Sequence, residues 1–433
     1  MRDISRRRLL AGSGIALASG LAGCGRLWND GEGSPEFDPS AIEPILSEPT
    51  PNVERPVPIR PALGAIDDGT GRYDELLAAL PSTLSAEDVP NEVVREGIES
   101  AREDAEAYRE SVETASDRFR MIQAIEEARG SAREAAAAFD AVGTDITSAT
   151  DRERREARSA VGARLADVEY AGEDPDRTTL LAARIERTLL ETQRQLQHGF
   201  FPIDPDVLEI GELAGDIERA RATIDTVEAL TDRHAEVVAD PIELEIPLER
   251  ALKLSFHALG QSGLATDDVT PEELLGSEPD RTERSLLIGE AIRRIESPVR
   301  RIEPKLARGE LASGFDDAFV LERDVRALRT VVDRLVEGEF PELESAEQVR
   351  TEREAALEAA ETVPGSVPER SLAMDVFVRT LEGLSLADEA IGQSLDTGRS
   401  QSLEREYARY AYCRAQLEVL PETIESVRSR LEV

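Results

Sequence analysis

Apolar residues recur at steps of three and four along most of the chain from Tyr73 onward. This spacing places the apolar side chains on one face of a helix. Strict alternation of apolar and polar residues, which a strand would show, is absent from the same stretch. The pattern predicts an all-α fold, either a helical bundle or a short array of antiparallel helical hairpins. One stripe consists of Leu321, Val325, Leu328, Val331 and Leu335.

Two short motifs recur three times in the same order. The first is a proline, an acid, an arginine and a hydroxyl residue, and it occurs at 175–178, 279–282 and 368–371. The second is an aliphatic residue followed by Glu-Arg, and it occurs at 217–219, 321–323 and 403–405. The motifs are 42, 42 and 35 residues apart. This regularity predicts three divergent helical hairpins, each opened by a proline at the first helical position.

Three interpretations of these motifs stay open at this point. The arginines and glutamates could form a salt bridge or a helix cap within each hairpin, or they could contact a ligand. The similarity could also be fortuitous among Arg- and Leu-rich helices. The structural role is favoured because exposed charge pairs are common and individually weak.

The positions of the prolines and of the repeat divide the chain into segments. The predicted segments are a signal peptide at 1–23, a lipid anchor and Pro-rich linker at 24–66, an amino-terminal helical region at 67–172, two hairpins at 173–362 with an insertion at 241–275, and a third hairpin at 363–433. The density of proline in the linker favours an extended spacer that could reach roughly 100 Å at about 3.1 Å per residue.

The balance of acidic and basic residues disfavours anionic binding partners for the body. The chain has 89 acidic and 51 basic residues, a formal net charge of −38, and only Lys253 and Lys305 as lysines. Such a surface repels nucleic acid and anionic lipid, so neither is expected as a ligand of the body. Molar salt would screen most of the self-repulsion. This acidic, lysine-poor composition resembles that of haloarchaeal proteins and predicts a halophilic protein.

The first 24 residues carry recognisable motifs. Arg6 and Arg7 precede an apolar stretch from Leu9 to Gly23, which is too short for a membrane span. The arrangement resembles a twin-arginine export signal. The stretch ends in Leu21, Ala22, Gly23 and Cys24, which resemble a lipobox. Together the motifs resemble those of haloarchaeal lipoproteins. The resemblance implies export, signal removal by the lipoprotein-processing machinery, and a lipid on Cys24 that holds the protein on the outer face of the cytoplasmic membrane.

Candidate chemistry is sparse in the rest of the sequence. His198, His234 and His257 have no second ligand at metal-site spacing, and we expect His198 at a helix end and the other two partly buried. No nucleophile elbow, phosphate loop or dinucleotide motif is present. Cys413 falls on the core face of its helix and is expected to be a buried small apolar residue. The sequence therefore predicts no catalytic residue, no cofactor and no metal ligand.

Two functions remain open on the sequence alone. The first, which the repeat favours, is a membrane-tethered extracellular scaffold or protein-interaction module that presents a face to a surface or envelope protein. The alternative is an extracytoplasmic solute-binding protein or hydrolase with a site between hairpins. A deep cleft with convergent Arg, Tyr and His side chains would favour the alternative, and closed packing with a shallow groove would favour the scaffold.

Overall fold

The computed structural model describes residues 35–115, 117–198, 205–261, 271–275, 283–340 and 343–431. Regular structure in these ranges is almost entirely helical, which confirms the predicted all-α fold. The helices are α1 (Pro39–Ile42), α2 (Leu63–Ala78), α3 (Glu92–Thr114), α4 (Arg118–Gly143), α5 (Thr147–Ala166), α6 (Pro175–His198), α7 (Val207–Val237), α8 (Glu245–Gln261), α9 (Pro271–Leu275), α10 (Glu283–Arg308), α11 (Leu311–Glu337), α12 (Ala346–Thr362), α13 (Leu372–Thr397) and α14 (Glu404–Leu431). Strands β1 (Ala171–Gly172) and β2 (Ile242–Glu243) pair antiparallel.

The three predicted hairpins are present as α6 with α7, α10 with α11, and α13 with α14. Pro175 opens α6 as predicted. Pro368 does not open a helix, because α13 begins only at Leu372, where the Ser371 hydroxyl accepts a hydrogen bond from the backbone N–H of Met374. The motif at 279–282 lies outside the described residues.

The second motif is not in the same place in all three hairpins. Ile217 and Leu321 lie well inside α7 and α11, whereas Leu403 directly precedes α14. The predicted pairing within a hairpin is present in two of the three, because Glu218 pairs with Arg221 and Glu322 pairs with Arg326 of the same helix. Both glutamates also pair outside their hairpin, Glu218 with an arginine of α4 and Glu322 with Arg430 of α14. The motif glutamates therefore also join different hairpins and helices.

Helices α8 to α14, the carboxy-terminal half, form one continuous core. Helix α14 lies at its centre and contacts α8, α10, α11, α12 and α13, which describes a compact bundle and not an open array. The stripe from Leu321 to Leu335 is buried here, as expected. Charged groups are buried as well: the Arg323 guanidinium donates to the Asp324 carboxylate and to the Thr380 hydroxyl, and Gln416 donates to Asp324 at 2.7 Å.

Helices α2 to α7, the amino-terminal half, have several smaller clusters of buried apolar residues. Helices α4 and α7 approach closely through small residues. A Cβ atom on Gly211 would lie 2.8 Å from the carbonyl oxygen of Glu134, and one on Gly215 would lie 2.9 Å from that of Gly130. The Ala-rich segment of α4 is buried against this contact.

Residues 35–62 form a belt that lies on the helical body. This finding corrects the predicted extended spacer. Ile42 and Ile45, in α1 and the 3-10 turn that follows it, enter the core of the carboxy-terminal half, and Ile59 enters a core of the amino-terminal half. Proline keeps the chain extended, but the isoleucines between the prolines gain more by burial than by facing water.

One buried arginine fixes the middle of the belt. Arg353 of α12 donates to the carbonyl oxygen of Glu48 at 2.6 Å and to both carboxylate oxygens of Asp388. Asp388 also accepts hydrogen bonds from the hydroxyls of Thr50 and Tyr410. Burial alone would raise the pKa of Asp388, but these donors lower it below its usual value. The carboxylate therefore stays ionised and holds the belt to the body.

Helix α6 connects the two halves. Leu180, Ala182 and Ala183 pack into the carboxy-terminal core, although the helix belongs to the amino-terminal half. Glu186 is fully buried, and its carboxylate accepts hydrogen bonds from the backbone N–H groups of Ala312 and Ser313. These N–H groups belong to the first turn of α11. A carboxylate of the amino-terminal half therefore caps a helix of the carboxy-terminal half.

Candidate functional site

A cleft of about 1710 Å³ lies between the two halves. The start of α4 and one face of α6 form its first wall, and Arg233 of α7 lies beside them. The first half of α13 and the residues before it form the second wall. The belt between Thr50 and Ala62 closes a third side. The belt, folded onto the body, therefore supplies one side of the cleft.

The lining of the cleft is cationic in a strongly acidic protein. Eight arginines and five acids line it, whereas acids outnumber basic residues by 89 to 51 in the whole chain. Charge of one sign in a concave site concentrates ions of the opposite sign. The arginines are Arg55, Arg60, Arg118, Arg120, Arg184, Arg187, Arg233 and Arg370, and the acids are Glu54, Asp117, Glu369, Asp375 and Glu382.

Two arginines at the base of the cleft are neutralised by the protein. Arg184 lies 3.5 Å from a carboxylate oxygen of the buried Asp375, and Arg187 lies 3.1 Å from one of the buried Asp316. Burial would raise the pKa of Asp316, but Arg379 and Arg187 lower it below its usual value. The Arg184 guanidinium also lies 5.4 Å from the ring centroid of Phe119. These contacts join α6, α11 and α13 and give the cleft a rigid base.

Three other arginines of the lining have no carboxylate partner among the described residues. Arg60 and Arg370 are exposed, and neither takes part in an ion pair or hydrogen bond within those residues. Arg118 donates only to the carbonyl oxygen of Pro61, at 3.2 Å. It is the first residue of α4, and Arg370 directly precedes the cap of α13. The positive ends of both helices therefore reinforce the charge of these side chains.

The cleft also has an apolar surface. Met374, Val378 and Leu381 form a stripe along α13 that lines it with only a small exposed fraction, and Val53 and Val57 of the belt are half-buried. Charged and apolar groups thus alternate around the same space, as they do in sites that bind organic ligands. The lining can hold an anionic ligand that also has apolar parts.

The three histidines do not meet in the structure. His198 ends α6, as expected, and its side chain is not described. His234 is half-buried in a smaller cavity of about 300 Å³, with Nε2 2.8 Å from the carbonyl oxygen of Ala171. His257 is exposed, which corrects the expected partial burial. It lies nine residues after the buried Leu248, which places it on the opposite face of α8.

Cys413 is fully buried in α14, as predicted. Burial raises the pKa of its thiol, although nearby arginines lower it in part. A protonated, enclosed thiol is not a nucleophile. In the described ranges, no group of three or more His, Cys, Asp or Glu side chains could hold a metal ion.

The predicted export and lipidation residues lie outside the described residues. They are Arg6, Arg7, Leu21, Ala22, Gly23 and Cys24. No helix in the described part of the chain is long and apolar enough to cross a bilayer. The anchor thus stays a prediction of the sequence.

Comparison with known proteins divides the chain where the structure does. Residues 64–240 match the model of a family described as a domain of unknown function, DUF8262. Residues 245–429 match that of a second such family, DUF8264. No curated protein and no solved structure matches the chain. The two matched ranges meet at β2, and the cleft lies between them.

Almost nothing in the sequence predicts the cleft. Its uncommitted arginines come from three distant segments, and each looks like any other surface arginine in a chain with only two lysines. One signal was present: Arg370 belongs to the first repeated motif. Its counterpart Arg177 has another role, because it donates to the carbonyl oxygen of Pro58 at 2.7 Å and holds the belt.

Proposed function

We propose that this protein binds an anionic ligand in the arginine-lined cleft. The observation that carries the proposal is the excess of arginine over acid in the lining of a protein whose net charge is −38. Halophilic adaptation accounts for an acidic surface, but not for a concave site of opposite sign. Arginine forms charge-assisted hydrogen bonds with carboxylate and phosphate, often two at once.

The sequence motifs also predict where in the cell the protein binds its ligand. After export by the twin-arginine route, a lipid on Cys24 would hold the body on the outer face of the cytoplasmic membrane. At no more than about 3.5 Å per residue, the chain between Cys24 and Pro35 can reach roughly 40 Å. The body would therefore stay closer to the membrane than a free linker through residue 66 would allow. Replacing Cys24 with Ser should release the exported protein from the membrane fraction.

A calorimetric titration with citrate and with inorganic phosphate tests the proposal, in potassium chloride at a concentration that keeps the protein folded. We expect binding by the wild type and at least about tenfold weaker binding by the double variant Arg60→Gln/Arg118→Gln, because each charge-assisted hydrogen bond contributes about 1.5–3 kcal/mol. Arg158→Gln is the matched control, since Arg158 is exposed on α5 and does not line the cleft. No binding of either anion, or equal binding by the double variant, would contradict the proposal.

The interaction module is the second candidate, and the size of the cleft is the observation that favours it. A volume of about 1710 Å³ exceeds the roughly 300–1,000 Å³ of ordinary small-molecule sites. A protein partner could therefore insert a segment of chain. Nucleic acid remains disfavoured, since the surface outside the cleft is acidic and Phe119 is the one aromatic residue in the described lining.

A further inference from the structure

The belt leaves backbone hydrogen-bonding groups open beside the cleft. Asn52, Val53, Glu54 and Arg55 form a run between Pro51 and Pro56. None of the four backbone N–H groups, among the described residues, bonds to another backbone group. Among the described residues, no carbonyl of the run accepts a backbone hydrogen bond either, and a segment outside regular structure with open N–H and C=O groups can pair with an extended chain. The flanking prolines limit such pairing to a short segment.

The belt is held in place without using these groups. Arg353 binds the carbonyl oxygen of Glu48 on one side of the run, and Arg177 binds that of Pro58 on the other. Between these points the Arg55 side chain forms two hydrogen bonds with the Glu382 carboxylate, at 2.9 and 2.6 Å. The run is therefore preorganised, so a ligand need not order it on binding.

The side chains around the run suit a particular kind of chain. The half-buried Val53 and Val57 of the belt offer contacts for apolar side chains, beside the mostly buried stripe of α13. The open guanidinium groups of Arg60, Arg118 and Arg370 offer contacts for carboxylates. A peptide in which acidic and apolar residues alternate presents one type on each side of an extended chain.

From these observations we infer that the ligand is an extended acidic peptide segment, which pairs with the belt at residues 52–55 and places its carboxylates against the cleft arginines. The inference rests on the proposed function and names its ligand class. A small polycarboxylate would meet the arginines but would leave the belt groups and most of the volume unused. A peptide accounts for the charge, the apolar stripe, the open backbone and the size together.

Fluorescence anisotropy with three labelled, end-capped peptides tests the inference. The first alternates Glu and Val, the second replaces Glu with Gln, and the third keeps Glu and Val but has N-methylated peptide bonds. We expect the first to bind and the other two to bind at least about tenfold more weakly, because each lacks one kind of contact. The first peptide should also bind at least about tenfold more weakly to Arg60→Gln/Arg370→Gln, and equally well to Arg158→Gln.

The outcomes separate this inference from the proposed function. If the N-methylated peptide binds as tightly as its parent, backbone pairing is wrong. Citrate binding that depends on Arg60 and Arg118, without displacement by the acidic peptide, would show that the ligand is a small anion. The peptide inference would then be wrong, and the proposed function would stand. If neither citrate nor the peptide binds through these arginines, both are wrong.

Discussion

The two halves of the protein bury their helices in different ways. The amino-terminal half brings α4 and α7 together through glycine and alanine, with little side-chain volume between the backbones. The carboxy-terminal half surrounds α14 with large side chains, and Arg353, Tyr410 and Tyr412 are among the largest that are fully buried. The first half combines this close fit with the buried pair of Arg129 and Glu218, whereas the second buries many more charged groups around α14. The cleft lies where these two kinds of packing meet.

The largest effect should come from the buried charges of the carboxy-terminal half. Asp324→Ala leaves the Arg323 guanidinium buried without its carboxylate, and we expect a loss of about 3–5 kcal/mol in the free energy of unfolding. Asp225→Ala is the matched change in the amino-terminal half. Asp225 is exposed, and its partner Arg129 keeps Glu218, so the expected loss is below about 1 kcal/mol. Urea denaturation at constant salt measures both, and equal losses would refute the contrast.

A glycine pair probes the close fit of the amino-terminal half. Gly211→Ala places a Cβ against α4, and we expect a loss of about 1–3 kcal/mol from overpacking. Gly392→Ala, inside α13, meets no atom within 4 Å and should instead stabilise the protein by about 0.5–1 kcal/mol through helix propensity. The two changes are chemically identical, so thermal midpoints that shift in the same direction would contradict the packing described for α4 and α7.

Glu126, between α4 and α7, gives the amino-terminal half a dependence on pH. Burial, with smaller effects from Glu127 and Asp225, raises its pKa from 4.5 to about 7, although Thr226 and Arg129 lower it in part. Between these pH values the native state holds a proton that the unfolded state has lost, so stability falls as pH rises. Glu126→Gln should remove this slope and gain about 2–3 kcal/mol relative to wild type from pH ~5 to ~8. Glu127→Gln removes only one of the smaller effects, at an exposed neighbour, and should keep most of the wild-type slope in denaturation series across that range.

The smallest effect is expected at Cys413. Cys413→Val keeps the site apolar at nearly the same size, so the free energy of unfolding should change by less than about 1.5 kcal/mol. In the native wild type the thiol should react with a maleimide reagent only as fast as the protein unfolds. Rapid labelling of the folded protein would show that the core around α14 is open.

Some of these features could be predicted from the sequence, and the reasons are physical. The stripe from Leu321 to Leu335 and the burial of Cys413 follow from helical periodicity, which depends only on neighbouring residues. The packing of the belt could not be predicted, because proline density indicates an extended chain but not whether Ile42, Ile45 and Ile59 pack against the helices. The cleft was missed because it depends on side chains brought together from the belt, α4, α6, α7 and α13. Such convergence has no local signature.

The most direct test of the cleft uses the wild-type protein. Phenylglyoxal modifies accessible arginines, and mass spectrometry can report each one with citrate or with chloride at equal ionic strength. If the cleft binds anions, citrate should slow the modification of Arg60, Arg118 and Arg370 at least about threefold, and leave the exposed Arg158 unchanged. Equal protection of all four arginines, or of none, would contradict the claim that this cleft is the binding site.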